Sequence, residues 1–153
     1  MIYIHIPFCK SRCLYCDFFS TTSSELKDDF VKALLKEMEG RAEELRFARA
    51  NTIYIGGGTP SQLDAKHLTD IFGALQRVAP LQDGAEVTIE CNPDDITPEF
   101  VDALKATPVN RVSMGVQTFD DNLLRLLRRR HTSEQAHRAV SLLREAGYSN
   151  ISL

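Results

Sequence analysis

Three cysteines near the start of the chain stand at a spacing that could hold a metal centre. They are Cys9, Cys13 and Cys16, in the pattern Cys-x₃-Cys-x₂-Cys, and the chain has only 4 cysteines in 153 residues. Chance would give this spacing in roughly one sequence of this composition in a thousand. Thiolates are ligands of structural zinc and of iron–sulfur clusters, so the spacing indicates a metal site.

The cysteine spacing leaves more than one kind of site open. A tetrahedral zinc site needs a fourth ligand, which His5 or Cys91 could supply, although paired Cys-x₂-Cys arms are the usual zinc pattern. Inert core cysteines are disfavoured because Lys10 and Arg12 make this a polar segment. A [4Fe-4S] cluster held by three thiolates leaves one iron free for the amine and carboxylate of a small molecule. The cluster is favoured, and a zinc-stabilised binding module remains the alternative.

Composition and charge limit the classes of protein. With 43% hydrophobic and 25% charged residues, the 153-residue chain is typical of one globular domain. The net charge of -3 disfavours a broad nucleic-acid-binding surface, so no nucleic acid partner is expected. No apolar run is long enough to span a membrane, and no basic residues precede the first apolar run. We therefore expect a cytoplasmic protein, in which clustered cysteines bind metal rather than form disulfides.

Strand-like and helix-like segments alternate along the chain. Strands are predicted at 2–6, 52–55, 86–90 and 111–116, and a fifth begins at 151. Helices are predicted from a capping box at 22–25 to about 46, from 61–64, from 97–98, around 123–127 and from 132 to 147. This alternation predicts an α/β fold with four right-handed βα units and the start of a fifth parallel strand. Because the chain stops inside a strand, we expect a longer barrel to continue beyond it.

A second motif directly follows the second predicted strand. Gly56, Gly57 and Gly58 stand before Thr59 and Pro60, and glycines let the backbone approach a ligand closely. The motif lacks the Lys-Ser/Thr of a P-loop, and a tight βα turn explains it equally well on its own.

The unusual segments all follow strands. Besides the cysteine and glycine segments, residues 90–94 end the third strand and residues 115–117 end the fourth. Because the loops after parallel strands open on the same rim of a barrel, we expect these segments to form one site. Plainer interpretations remain beside this one: Cys91 as a small buried residue, His5 and His131 as structural, and Arg129 as part of a solvated run.

The ordered set of motifs resembles the radical S-adenosylmethionine (SAM) superfamily. The resemblance rests on Tyr3-Ile-His-Ile-Pro7, the cysteine trio, IGGGTP, IECNPD, NRVSMGVQTF and the later Arg-His pair. The most similar branch contains the oxygen-independent coproporphyrinogen III oxidases and the HemW-type heme chaperones. The resemblance implies a partial (β/α) radical SAM barrel, with residues 1–153 as the N-terminal portion of the core domain. The rest of the barrel and a C-terminal domain would lie outside this chain.

The resemblance also implies roles for individual residues. Cys9, Cys13 and Cys16 would ligate a [4Fe-4S] cluster, and SAM would bind the open iron and yield a 5′-deoxyadenosyl radical. The positions matching the family's SAM contacts are Tyr3, Tyr15, Gly57, Gly58, Thr59, Glu90, Gln117 and Arg129. An arginine suits a carboxylate because its planar fork can pair with it at two points. The resemblance identifies no further catalytic residue.

One local feature separates the two branches. In the oxidases the third cluster cysteine continues as Cys-Gly-Cys, whereas here Cys16 is followed by Asp17, Phe18 and Phe19. This form resembles the heme chaperones, and the alternative is an oxidase that decarboxylates propionate side chains. The implied partners are SAM, heme or a porphyrinogen, and a reducing electron donor. We also expect the 153-residue chain alone to be inactive and to self-associate through open sheet edges.

Overall fold

Five parallel strands form one sheet in the order in which they occur along the chain. The computed structural model describes residues 1–153, and neighbouring strands along the chain are neighbours in the sheet. All four pairings are parallel, which confirms the predicted α/β class with four βα units and a fifth strand. The strands are β1 (Ile2–Ile6), β2 (Thr52–Gly57), β3 (Glu86–Cys91), β4 (Arg111–Met114) and β5 (Asn150–Ser152).

Six helices connect the strands. They are α1 (Lys27–Gly40), α2 (Ala42–Phe47), α3 (Ala65–Val78), α4 (Pro98–Lys105), α5 (Asp121–Leu126) and α6 (Ser133–Glu145). Short 3₁₀ turns lie at Ser24–Leu26, Pro60–Gln62 and Pro93–Asp95. None of these helices combines the length and the apolar character that crossing a membrane requires.

The side chains of the strands alternate between a core face and a polar face. Ile4, Ile6, Ile53 and Ile55 are buried in one hydrophobic core with residues of the helices. Burial of each such side chain contributes about 1.5–3 kcal/mol, so this face fixes the register of the strands. On the other face, the side chains of His5, Tyr54 and Glu90 are only partly buried, and Tyr3 is exposed. The polar face is therefore free to contribute side chains to a site.

Helix caps confirm two of the predicted starts and contradict two others. The side chain of Thr97 accepts a hydrogen bond from the Phe100 amide, and Thr132 forms a full capping box with Gln135. The predicted start at Ser61 is wrong, because Asp64 caps α3 and Ser61 lies in a 3₁₀ turn. No side-chain cap forms at the predicted 22–25 box, and a 3₁₀ turn precedes α1 there.

Two predicted elements are shorter in the structure than in the sequence analysis. The first helix does not run unbroken to 46: it ends at Gly40, and Arg41 separates α1 from α2. Glycine is a poor helix former, which accounts for a break at this point. Strand β4 ends at Met114 rather than 116, because the backbone turns there and the Val116 amide bonds to the Met114 carbonyl. This turn directs residues 115–117 across the end of the sheet.

Candidate functional site

The cysteine segment is a closed loop at the end of β1. The Thr21 amide bonds to the Pro7 carbonyl at 2.7 Å, and the Cys9 amide bonds to the Thr21 carbonyl at 2.9 Å. These two bonds fasten both ends of the loop. A third bond, from the Leu14 amide to the Leu127 carbonyl at 3.1 Å, ties the middle of the loop to the end of α5. The loop is therefore held in place by two separate elements.

All three loop cysteines line one cavity of about 570 Å³. Their thiols are free and half-buried, whereas Cys91, which also borders this cavity, is 3% exposed and packs in the hydrophobic core, which confirms its interpretation as a small buried residue. Burial raises the pKa of the Cys91 thiol well above its usual value. The accessible thiols are thus those of the spaced trio.

The arrangement of thiols fits a cluster better than a single zinc ion. No three His, Cys, Asp or Glu side chains come close enough together to hold one metal ion. A cluster places its own iron and sulfide between the thiolates, so its ligands need not converge on one point. The proposed fourth zinc ligands are also engaged elsewhere. The His5 ring accepts from the Tyr3 hydroxyl and donates to the Phe19 carbonyl, at 3.2 and 2.9 Å, and Cys91 is buried.

The glycine segment passes directly over the start of the cysteine loop. The amides of Gly58 and Thr59 bond to the carbonyls of Ile6 and Phe8, each at 2.8 Å. A Cβ on Gly57 would lie 2.6 Å from the His5 ring, and the backbone there has a φ of 115°. A Cβ on Gly58 would lie 2.9 Å from the carbonyl oxygen of Phe8. Glycine is therefore required at position 57 to pack beside His5 and at position 58 to pack against the start of the cysteine loop, whether or not a ligand binds.

Glu90 is the only acidic residue that lines the cavity. Its carboxylate accepts a 2.6 Å bond from the Tyr54 hydroxyl and a 3.0 Å bond from the Gly57 amide. Burial and the bonded carboxylate raise the pKa of the Tyr54 hydroxyl, so Tyr54 stays a donor at neutral pH. The two bonds fix the carboxylate toward the glycine segment. Tyr54 was not identified from the sequence, because it sits in an otherwise ordinary strand.

Arg129 lies against the cysteine loop. Its Nη1 donates to the Cys13 Sγ at 3.2 Å, and its Nη2 donates to the Asn92 Oδ1 at 2.6 Å and to the Gly115 carbonyl. Its Nε is buried and has no partner. A buried donor without a partner is costly, and an anionic group in the cavity would satisfy it. The guanidinium and the thiols thus fit a site for a cluster and a carboxylate.

The remaining predicted residues divide between two cavities. Thr59 is buried, and its hydroxyl contacts the Cys9 Sγ at 3.5 Å. Tyr15 and Gln117 also line the cysteine cavity, and Gln117 has a positive φ of 71°. Such backbone strain clusters at binding sites. Tyr3 lies further down β1, stacks on Tyr54, and lines a separate cavity of about 360 Å³.

His131 lies beside the cavity, and Asn92 lines it. His131 is buried, and its Nε2 donates to the Val116 carbonyl at 3.1 Å. Burial, followed by the charge of Arg129, lowers the pKa of His131, so the ring is neutral at pH 7. Asn92 was not identified individually from the sequence, although it lies within the strand-end segment 90–94. Its bond to Arg129 makes it part of the site's wall.

The family model described as the radical SAM superfamily matches residues 3–153. The chain belongs to this superfamily. Radical SAM proteins use SAM and a [4Fe-4S] cluster, so membership implies both cofactors and agrees with the three-thiol cavity. Every residue expected to meet these cofactors lines the cavity, with the exception of Tyr3.

Two curated relatives of this radical SAM chain carry the same name. The chain is 40% identical to the heme chaperone HemW of Lactococcus lactis subsp. lactis (strain IL1403), over 99% of this chain and 39% of that protein. It is also 40% identical to the heme chaperone HemW of Bacillus subtilis (strain 168), over 99% of this chain and 40% of that protein. The chain therefore spans about two fifths of the length of these relatives.

A solved structure shares the fold over nearly the whole chain. The coproporphyrinogen III oxidase HemN from Escherichia coli, described as a radical SAM enzyme, superposes with a TM-score of 0.87. The sequence identity is 30%, over 98% of this chain and 35% of the HemN chain. This likeness confirms the predicted partial radical SAM barrel.

Proposed function

We propose that this chain is the cluster- and SAM-binding part of a heme chaperone of the HemW type. The similarity to proteins of that name over almost the entire chain carries the proposal. The Cys16-Asp17-Phe18 sequence supports it too, because the oxidases that the chain resembles continue with Gly-Cys at this point. Residues 1–153 would be the N-terminal portion of the core domain, and heme would be bound by the full-length protein.

Within this proposal the three loop thiols hold the cluster. The loop's backbone bonds to Thr21 and Leu127 fix the positions of Cys9, Cys13 and Cys16 before any cofactor binds. When bound, the cluster and SAM supply one-electron reductive cleavage of SAM, with electrons from an external donor. The protein contributes the geometry of the thiols and a cavity whose polar side chains orient SAM.

Different polar side chains of the cavity bind different groups of SAM. Glu90, held by Tyr54 and the Gly57 amide, presents a carboxylate to the ligand's amine. Arg129 has a buried Nε available for the ligand's carboxylate. Tyr15 offers an aromatic face in the cysteine loop, and Gly57, Gly58, Thr59 and Gln117 bring backbone and polar groups close. Tyr3 would act from further down β1, through its stacking on Tyr54.

The open sheet edges suggest how the isolated chain behaves. Strands β1 and β5 are the two edges of the sheet, and β5 is only three residues long. Unpaired strand edges pair with other chains, so the isolated 153-residue chain would self-associate. We also propose that it does not cleave SAM alone, because the rest of the barrel would complete the cavity.

A second candidate function is oxygen-independent coproporphyrinogen III oxidation, with decarboxylation of propionate side chains. The structural likeness to HemN favours it. The test is to prepare the full-length protein anaerobically and measure two things: heme binding by absorbance titration, and conversion of coproporphyrinogen III with SAM and a reductant. Saturable heme binding without porphyrinogen turnover is the expected result. Porphyrinogen turnover would favour the oxidase over the chaperone, and the absence of both heme binding and porphyrinogen turnover would contradict both functions.

A further inference from the structure

A buried carboxylate connects three loops at the rim of the sheet. Asp95 lies in the 3₁₀ turn after β3, and only 7% of its side chain is exposed. Its Oδ2 accepts a 2.8 Å bond from the Ser61 hydroxyl, and its Oδ1 accepts a 2.6 Å bond from the Gln62 amide nitrogen. Both oxygens also accept from Nη2 of Arg130, at 3.1 and 3.2 Å. Asp95 therefore joins the loop after β2 to the segment after α5.

The connected loops carry residues of the cofactor cavity. Ser61 follows Thr59 by two positions, and its hydroxyl also accepts a 3.1 Å bond from the Asn92 amide. Asn92 in turn accepts from Arg129, which is the neighbour of Arg130. These contacts form a closed ring. Asp95 pairs with Arg130, the neighbouring Arg129 bonds to Asn92, and Ser61 links Asn92 back to Asp95. Arg129 sits in this ring at the point nearest Cys13.

The neighbouring carboxylate is held much less well. Asp94 contacts Nη1 of Arg130 at 3.0 Å, and its second oxygen is buried with no partner. A buried charge is stable only when its oxygens are paired, and a fully satisfied network is rigid. Both oxygens of Asp95 are satisfied, whereas Asp94 makes one contact. The two residues are therefore a natural pair of test and control.

We propose that Asp95 is a positioning residue for SAM binding that acts through Arg129. By pairing with Arg130 and anchoring it to Ser61 and Gln62, Asp95 fixes the short segment that carries Arg129. The guanidinium of Arg129 is thereby held toward Cys13 and the cavity before the ligand arrives. A preorganised donor costs less to order on binding, which strengthens affinity. The inference rests on the proposed function, because it presumes that Arg129 contacts SAM.

The test compares the neighbouring carboxylates in the full-length protein, reconstituted with iron and sulfide under anaerobic conditions. SAM affinity is measured by calorimetry, beside iron content and melting temperature. Asp95→Asn should weaken the SAM Kd by about tenfold with unchanged iron content, because the buried charge that holds Arg130 is lost. Asp94→Asn should change the Kd by less than about twofold, because Asp94 contacts Arg130 alone and does not join it to Ser61 or Gln62. Equal Kd values for wild type and Asp95→Asn would overturn the inference.

A double-mutant cycle separates positioning from general stability. If Asp95 acts through Arg129, Asp95→Asn should add no further loss of SAM affinity in an Arg129→Ala background. Additive losses would instead assign Asp95 a purely structural role and overturn the inference. Should Asp95→Asn lose its fold or iron, Arg130→Lys provides the second test. It keeps the charge but loses the planar fork, and it should also weaken SAM binding about tenfold.

The same measurements distinguish the inference from the proposed function. A wild-type protein that holds its cluster but binds no SAM would contradict the proposed function itself. A wild-type protein that binds SAM, with Arg130→Lys and Asp95→Asn binding it equally well, would contradict only the role of Asp95. The inference is supported if Asp95→Asn and Arg130→Lys both bind SAM more weakly than the wild type while Asp94→Asn binds it equally well.

Discussion

The guanidinium of Arg129 donates a hydrogen bond to the thiol of Cys13 across 3.2 Å, although the two residues are 116 positions apart in the chain. The cysteine loop after β1 and the segment after α5 therefore meet at one point of the rim. The contact links the expected cluster ligand to the expected SAM contact.

Arg129→Lys should weaken SAM binding by about tenfold or more, because a lysine cannot contact Cys13, Asn92 and a ligand carboxylate with one planar group. The matched control is Arg128→Lys, because Arg128 is exposed and its side chain forms no hydrogen bond to the cysteine loop. Calorimetry with SAM on the reconstituted full-length protein measures both. Equal SAM affinities of Arg129→Lys and Arg128→Lys would contradict the assignment of Arg129 to the SAM-binding site.

Gly57→Ala should destabilise the protein more than Gly84→Ala does. Both glycines have positive φ, of 115° and 74°, but only at Gly57 would an added Cβ meet a neighbour, the His5 ring at 2.6 Å. The clash should add about 1–3 kcal/mol to the loss in the free energy of unfolding. Urea denaturation of both variants checks this difference. A loss in Gly57→Ala no larger than in Gly84→Ala would show that the His5 ring moves away freely.

Tyr54→Phe should weaken SAM binding about three- to tenfold, or about 0.7–1.4 kcal/mol, while leaving the cluster in place, because Glu90 loses one of the two hydrogen bonds that fix its carboxylate. The hydroxyl of Tyr54 holds Glu90, and the phenyl ring preserves the packing. Tyr148→Phe is the control, since Tyr148 lies in the core and does not line the cavity. If both variants bind SAM as the wild type does, then Glu90 needs no such support.

The stability of the protein should fall as the pH drops below about 6.5, the ordinary pKa of histidine. Burial lowers the pKa of His131 in the folded state, so the unfolded chain binds more protons in this range. The protein keeps its full stability above the pKa that His131 has in the unfolded chain. It loses stability as the pH falls toward the lower pKa that His131 has in the folded protein. Equilibrium unfolding from pH 7.5 to 5 measures this slope. His131→Gln, which can still donate to Val116, should flatten it; an unchanged slope would assign the effect to other groups.

The fold could be predicted from the sequence because its determinants are local and repeated. Alternating strands and helices specify a parallel sheet, and the caps at Thr97 and Thr132 are formed by neighbouring residues. The errors arose where a local pattern met a stronger competitor. Asp64 caps α3 in place of Ser61, whose hydroxyl bonds to Asp95 instead, and Gly40 ends α1 early. The Ser61–Asp95 bond is a tertiary contact that no short segment contains, whereas the break after Gly40 is a local effect of glycine.

The candidate site could be predicted only in part. The cysteine and glycine motifs are visible because their residue types are rare and their spacing is unusual. Asp95 and Tyr54 gave no such signal, since an aspartate in a turn and a tyrosine in a strand are ordinary. Their importance comes from partners more than thirty positions away. Only the folded chain brings these partners together.

The iron content of the cysteine variants tests the central claim most directly. After anaerobic reconstitution, the full-length protein should hold about four irons, and Cys9→Ala, Cys13→Ala or Cys16→Ala should each lose them. Cys91→Ala is the matched control, because its thiol is buried in the core, and it should keep the full iron content. Full iron content in Cys13→Ala, or loss of iron only in Cys91→Ala, would contradict the assignment of the loop as the cluster site.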